Sequence, residues 1–305
     1  MAVDYCGICH SDLTFIEDAV GISKFPFIPG HEAIGRIAAV GEHAKGLKIG
    51  QPVGIGWTAE SCMHCHECLS GDQHLCARAV PTILGHQGGF ADRMRAHWAW
   101  TIPLPQGLDP SSSGPLLCGG VTVFAPLAMF GVKPTARVGV VGIGGLGHLG
   151  LKFANAWGCE VTAFTSSASK TDEARNFGAH HVVSTRDKKA IAALGKSLDL
   201  LLVTVNVSLD WPVMLQTLKP NGRMHVVGAV LEPLAIPALS LIFGQNSVSG
   251  SPTGSPTMIA AMLNFAARHR IGPQVEHFPM SHVNEALAHL AAGKARYRIV
   301  LDAEK

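Results

Sequence analysis

Charge is scarce in this chain: 15% of its 305 residues are Asp, Glu, Lys or Arg, and the two signs nearly cancel to a formal net charge of +2. No basic run exceeds two residues, and none is interleaved with aromatics, so neither nucleic acid nor an acidic membrane surface is implied as a partner. Long apolar runs are missing as well. Gly, Pro or a charge interrupts every hydrophobic stretch before the roughly 20 residues needed to span a bilayer. The segment Met1 to Asp12 holds two cysteines, two aspartates and a histidine, and has neither the basic start nor the apolar middle of a signal peptide. A cytoplasmic location without membrane attachment is the expectation. Internal repeats and low-complexity tracts are also absent. Against these absences stands a hydrophobic content of 47%, enough in a chain of this length for a large core and two domains. Eight cysteines in a reducing compartment need a use, and metal binding is the leading one.

The texture changes near residue 121. Up to about Pro115 the chain offers short β-type runs broken by Gly and Pro: Ala33 to Val40, Pro52 to Trp57, Trp98 to Pro103. Residues 1–120 therefore read as an irregular, mostly β domain. Residues 121–250 alternate strand and helix patterns: Arg137 to Val141, Leu146 to Trp157, Glu160 to Thr165, Ser169 to Phe177, His181 to Ser184, Leu198 to Thr204, Arg223 to Gly228, Ser247 to Ser249. That alternation predicts an α/β, doubly wound parallel sheet. Residues 251–305 offer two helical patterns, Thr257 to His269 and Ser281 to Ala292. A last strand follows, Tyr297 to Leu301, expected to return to the first domain.

Between the first strand and helix of the alternating region lies Gly142-Ile143-Gly144-Gly145-Leu146-Gly147, the G-x-G-x-x-G of a Rossmann dinucleotide site. Gly142 permits the tight turn, Gly144 lets the backbone approach the pyrophosphate, and Gly147 lets helix and strand pack closely. The helix start offers free N–H groups to the phosphates. The next strand ends Thr165-Ser166-Ser167-Ala168-Ser169-Lys170, with no carboxylate where an NAD site places one on the ribose 2'-hydroxyl. Hydroxyls and a lysine suit a 2'-phosphate, so NADP(H) is expected; the same serines also serve as caps for the following helix.

Cys62, Cys65, Cys68 and Cys76 fall within fifteen residues and form a four-thiolate set with no open position, as in a structural zinc site. Tetrahedral sulfur suits iron too, and His64 or His66 could replace one thiolate. A second group, Cys9, His31, Glu32 and Cys118, is too dispersed for spacing to join it.

At these residues the chain resembles the zinc-containing medium-chain dehydrogenases, and among them the NADP-dependent cinnamyl alcohol dehydrogenase branch. The resemblance rests on Cys-Gly-Ile-Cys-His-Ser-Asp (6 to 12), Pro-Gly-His-Glu (29 to 32), the four-cysteine loop, Pro-Leu-Leu-Cys-Gly-Gly-Val-Thr-Val (115 to 123), Gly-Ile-Gly-Gly-Leu-Gly-His (142 to 148) and Ala-Arg-Tyr-Arg-Ile-Val-Leu-Asp (295 to 302). It implies a GroES-like catalytic domain and two Zn2+ per chain, one structural and one catalytic. Cys9, His31 and Cys118 would bind the catalytic zinc, with Glu32 an occasional fourth ligand. Three protein ligands leave one position open for Lewis-acid chemistry. By the same resemblance Ser11 handles the substrate proton and Asp12 orients His31. His10 lies near the pyrophosphate, Thr122 near the nicotinamide, Arg296 at the mouth of the cofactor cleft, and Trp57 against the substrate. The resemblance also implies strands upstream of Met1, so that the catalytic domain is N-terminally incomplete. A chain extended upstream is expected to be more soluble or more active. Thr14 stands where relatives often carry a histidine that relays the proton. The expected activity is hydride transfer between NADP(H) and an alcohol/aldehyde pair, as a broad aldehyde reductase. The alternatives are a polyol dehydrogenase of this fold and a non-catalytic dinucleotide sensor. A homodimer is expected by analogy, through a sheet edge near Leu239 to Phe243 and Val248 to Ser251.

Overall fold

A computed structural model describes residues 1–304. In chain order the strands are β1 (Ala2–Ile8), β2 (Ala33–Arg36), β3 (Pro52–Ile55), β4 (Thr58–Glu60), β5 (Val80–Pro81), β6 (Ile102–Pro103), β7 (Arg137–Val141), β8 (Glu160–Thr165), β9 (His181–Ser184), β10 (Leu198–Val203), β11 (Leu218–Val226), β12 (Ser247–Gly250), β13 (Val275–Pro279) and β14 (Arg298–Asp302). The α-helices are α1 (His10–Ile16), α2 (His66–Leu69), α3 (Pro110–Ser113), α4 (Gly119–Met129), α5 (Gly147–Trp157), α6 (Thr171–Asn176), α7 (Lys188–Ala193), α8 (Trp211–Leu215), α9 (Ala238–Ile242), α10 (Pro256–His269) and α11 (Val283–Ala291). Two compact units result: Met1–Val121 with the chain from Thr253 onward, and Thr122–Pro252.

The first unit is built on a six-stranded sheet in the order β13-β14-β1-β2-β3-β6. β1 pairs antiparallel with β14, Cys6 opposite Leu301 and Ile8 opposite Ile299, and antiparallel with β2, Cys6 opposite Ala33. β14 thus sits between β1 and β13. Ile8, Ile299, Leu301, Ala286 and Leu290 form one buried cluster of this unit, pinning α11 to the sheet. Two expected strands are shorter than their sequence pattern. The run from Ala33 stops at Arg36, ahead of a loop whose Gly46 and Gly50 take positive φ, as turns require. In Trp98 to Pro103 only Ile102–Pro103 pairs with β3, because His97 Nδ1 accepts from Ala99 N at 3.2 Å and caps a short 3-10 turn.

The second unit is the α/β sheet, parallel throughout, in the order β12-β11-β10-β7-β8-β9. The order reverses beside β7, the topological switch point where open parallel sheets bind ligands. β10 reads Leu-Asp-Leu-Leu-Leu-Val because a parallel strand covered on both faces needs apolar residues almost throughout. Its Leu201 and Val203 share one buried cluster with Phe164, Trp211 and Met224. α5 ends on Gly158 at φ +101, a left-handed C-cap. Among the described residues no single helix is long and apolar enough to cross a membrane.

Candidate active site and four-cysteine lobe

β1 and α1 meet at Cys9. Its backbone N–H donates to Asp12 Oδ2 at 2.9 Å, so the helix starts on the residue that supplies the thiol. The other carboxylate oxygen of Asp12 accepts from Gly30 N at 2.9 Å and holds His31 Nδ1 at 3.1 Å. That fixes the imidazole with Nε2 facing Cys118 Sγ, 3.3 Å away. Such a carboxylate behind a ligand histidine sets both tautomer and ring orientation. Asp12, His31 and Glu32 have no exposed surface, and Cys9 and Cys118 are buried. Ligand atoms of Cys9, His31, Glu32 and Cys118 all lie within 4.8 Å of one another.

Glu32 fits only because Gly7 lies opposite: a Cβ there would stand 2.0 Å from Glu32 Oε2. Its Oε1 accepts from Arg298 Nη2, which also donates to Ile8 O at 3.2 Å. Among the described residues Oε2 has no hydrogen-bond partner. An orphaned buried carboxylate oxygen beside two thiols and an imidazole is a donor set suited to a divalent cation, and its sulfur and nitrogen content favours zinc over magnesium or calcium. Electrostatics agree. Its contact with Cys118, with His31 and Arg298 nearby, holds the Cys9 thiol well below the usual range. Burial alone would lower the pKa of His31, but Asp12 and Cys9 together raise it well above the ordinary value. Burial pushes Glu32 up, against the opposing pull of Arg298.

The other expected residues of this unit fall as follows. Ser11 Oγ lies 3.7 Å from Cys9 Sγ. His10 is exposed at the first position of α1. Trp57 is half-buried and packs its ring edge-on to His31, with centroids 5.1 Å apart and planes at 82°. Thr14 Oγ1 donates to His10 O at 3.0 Å, committing that hydroxyl to the helix backbone. Arg296 is exposed and its backbone N–H donates to Glu276 Oε1 at 2.6 Å. Arg298, two residues on, is the arginine that reaches the ligand set, and the sequence reading passed over it. The signal was there: it is a lone charge opening the apolar run Ile299-Val300-Leu301. Phe15 was also passed over; it is the one buried apolar residue of α1 and touches Trp57.

The second lobe runs out between the paired strands β4 and β5. Cys62, Cys65, Cys68 and Cys76 place their four sulfurs within 4.8 Å of one another. Cys65 N donates to Cys62 Sγ at 3.3 Å, and Arg78 N donates to Cys76 Sγ at 3.4 Å. Backbone N–H donation, chiefly from His64, lowers the Cys62 thiol to about 5. His64 Nδ1 meets Cys62 O and Nε2 meets Arg78, so its ring is engaged elsewhere, and neither it nor His66 joins the set.

In the second unit β7 leads into the glycine turn. Gly142 has φ +91, which an L side chain rarely adopts. A Cβ on Gly147 would stand 1.7 Å from Gly142 O, whereas one on Gly144 meets nothing within 4 Å. The turn is thus closed on itself at Gly147 and open at Gly144. Gly145 and Leu146 complete the turn before α5. Thr165 ends β8 buried, Ser166 is exposed, and Ser167 Oγ lies 2.7 Å from Ser169 Oγ. Lys170 Nζ donates to Ile143 O at 2.7 Å, so the ammonium lies beside the glycine turn. Thr122 is buried in α4.

Residues 1–106 match the alcohol dehydrogenase GroES-like domain family, and residues 145–268 match the zinc-binding dehydrogenase family. An aldehyde reductase, AdhA, of a Synechocystis strain is 53% identical over 99% of this chain and 90% of its own length. Among solved structures, a cinnamyl alcohol dehydrogenase of Sorghum bicolor is 37% identical and superposes with a TM-score of 0.95 over 99% of this chain and 88% of its own. A cinnamyl alcohol dehydrogenase of Helicobacter pylori, solved with NADP(H), is 30% identical with a TM-score of 0.89, covering 99% of this chain and 89% of its own. Likeness over nearly the whole length of such relatives, together with both domain families, makes this chain a member of the zinc-binding alcohol dehydrogenase family.

Proposed function

We propose that the protein interconverts aldehydes and primary alcohols, using NADP(H) as hydride carrier and zinc held by Cys9, His31 and Cys118. The observation that carries this reading is the buried meeting of two thiols, an imidazole and a carboxylate within 4.8 Å, separate from the Cys62, Cys65, Cys68 and Cys76 set. When bound, the metal supplies a Lewis acid for the substrate oxygen and the nicotinamide supplies or takes up hydride. The chain's own residues do the rest. Asp12 locks His31; Ser11 Oγ, close to Cys9, holds the substrate proton; Glu32 waits beside the ligand set as a fourth donor; and Trp57 walls the pocket against bulky substrates. His10 and Thr122 are assigned to the cofactor, as is Arg296 from its exposed turn.

NADP(H) rather than NAD(H) is supported by the end of β8, where Thr165, Ser166, Ser167 and Lys170 offer hydroxyls and an ammonium and no carboxylate. The NADP(H) bound by the Helicobacter pylori relative is in keeping with this. We assign two zinc ions per chain, the second one closing the four-cysteine lobe, whose short elements could not hold themselves together without it. A homodimer is supported by the open edge of β12 and by Leu239, Ile242 and Phe243, which are 61%, 64% and 83% exposed. Eight free cysteines suit a reducing compartment, and we place the protein in the cytoplasm.

The test is metal analysis of the purified chain together with NADPH and NADH consumption on aliphatic aldehydes, aromatic aldehydes and polyol-derived substrates. Two zincs and aldehyde turnover preferring NADPH are expected. Turnover confined to polyols would move the substrate class, and one zinc without turnover would refute the catalytic reading.

A further inference from the structure

We propose that Phe15 is a specificity-determining positioning residue: it sets the orientation of the Trp57 indole, and through it the space that an aldehyde finds over the Cys9, His31 and Cys118 set. The inference rests on the reading of that set as the substrate site.

Trp57 is rigid in its backbone and adjustable in its side chain. Its carbonyl accepts from both Thr82 N, at 2.8 Å, and Thr82 Oγ1, at 2.6 Å, and Thr82 is fully buried. The indole itself is half-buried and is gripped by two rings. His31 meets it edge-on, and Phe15 meets it with centroids 5.8 Å apart and planes at 42°. His31 cannot adapt, because Asp12 and the ligand set fix it from both sides. Phe15 is therefore the ring whose presence decides where the indole rests, and tilted aromatic pairs of this kind have preferred geometries that a branched aliphatic side chain does not reproduce. Phe15 is itself well held. The residue is 9% exposed, and its carbonyl accepts from Ser23 Oγ at 2.7 Å, tying the following loop back onto α1. The same short helix thus carries the thiol at its start, the orienting Asp12 and the residue that trims the pocket.

Phe15→Leu leaves space beside the indole. Trp57 turns into that space, and the room above the ligand set widens. The expected result is a rise of about five-fold or more in the ratio of kcat/KM for benzaldehyde to that for propanal, within the range over which apolar pocket changes discriminate substrates. The rise is read on protein with wild-type zinc content, and it appears mainly in KM for benzaldehyde. In a Trp57→Ala background the same substitution leaves the ratio unchanged, because the side chain through which Phe15 acts is gone. Should Phe15→Leu fail to accumulate as folded protein, Phe15→Met carries the same expectation. A readout independent of turnover is 19F NMR of protein labelled with 5-fluorotryptophan. The Trp57 resonance, assigned by its loss in Trp57→Phe, shifts or broadens in the Phe15 variant while the other four tryptophans stay in place. An unmoved Trp57 resonance overturns the inference. So does an unchanged substrate ratio, or a ratio change that persists without Trp57. Absence of aldehyde turnover in the wild type would instead refute the proposed function, and the NMR comparison would still decide whether Phe15 positions Trp57.

Discussion

Removing Arg298 tests the electrostatics of the ligand set most directly. Its side chain is 4% exposed and that of Glu32 is 0% exposed, so Arg298→Met leaves a buried carboxylate whose Oε1 keeps only the His31 ring, 4.0 Å away, and whose Oε2 has no hydrogen-bond partner among the described residues. Breaking a buried pair from one side costs about 3–5 kcal/mol, most of it the stranded charge. In a domain of this size each kcal/mol moves the melting temperature by roughly 2–4 °C, which predicts a fall of about 6–20 °C in differential scanning calorimetry at fixed zinc. Burial already pushes the Glu32 carboxyl up, and Arg298 opposes it. Without Arg298 the folded-state pKa rises further above the unfolded one. The variant is then least impaired at low pH, where Glu32 is protonated in both states, and loses stability as pH rises through the folded pKa. The deficit at pH 8 should therefore exceed that at pH 5.5. Adding Glu32→Gln removes the stranded charge and should recover most of the loss. A fall of under about 3 °C, or a double variant no better than Arg298→Met alone, would refute this account of the pair.

His225 makes a second pH-dependent case. It is fully buried between Ser249 Oγ and Ser251 Oγ, each 2.9 Å away, and burial, with the Arg223 charge, lowers its pKa to about 4. Because the folded value lies below the ordinary 6.5, its contribution of up to about 3 kcal/mol is complete above pH 6.5 and is lost as pH falls towards 4; urea unfolding of the wild type and of His225→Gln should converge over that window. The two glycines of the dinucleotide turn should separate fold from function. Gly147→Ala forces a Cβ against Gly142 O and should lower the melting temperature, whereas Gly144→Ala, with open space around it, should melt like the wild type and lose NADPH binding in a fluorescence titration. Ser166→Asp places at the end of β8 the carboxylate an NAD site carries; the ratio of NADPH to NADH efficiency should fall at least about ten-fold, and an unchanged ratio would remove that segment from cofactor choice. Cys68→Ser should release one zinc and leave the Cys9 set loaded, as read by metal analysis after gel filtration.

How far the chain could be read depended on how local each signal is. The four-cysteine lobe was legible because its ligands fall within fifteen residues, and the glycine turn because strand, turn and helix are contiguous. The parallel strands stood out because burial on both faces demands the largely apolar runs of β7, β8 and β10. No spacing rule joins Cys9, His31 and Cys118; resemblance grouped them, and the structure shows why they meet. β1 delivers Cys9, the segment before β2 delivers His31 under the control of Asp12, and Gly7 leaves room for Glu32. α4 was illegible for a different reason. Gly119, Gly120 and Pro126 argue against a helix, and it forms because Val121, Val123, Phe124, Ala125 and Leu127 are almost wholly buried, so packing overrides propensity. The choice between Arg296 and Arg298 turned on where a strand begins. Arg296 lies in the turn before β14, and Arg298 is the first residue of a strand with neighbours on both sides. A guanidinium there is tolerated only with a buried carboxylate to meet it, and Glu32 is that carboxylate. A charge that opens an interior strand therefore points to a partner elsewhere in the chain, and in this protein the partner is Glu32, whose carboxylate meets the donor atoms of Cys9, His31 and Cys118.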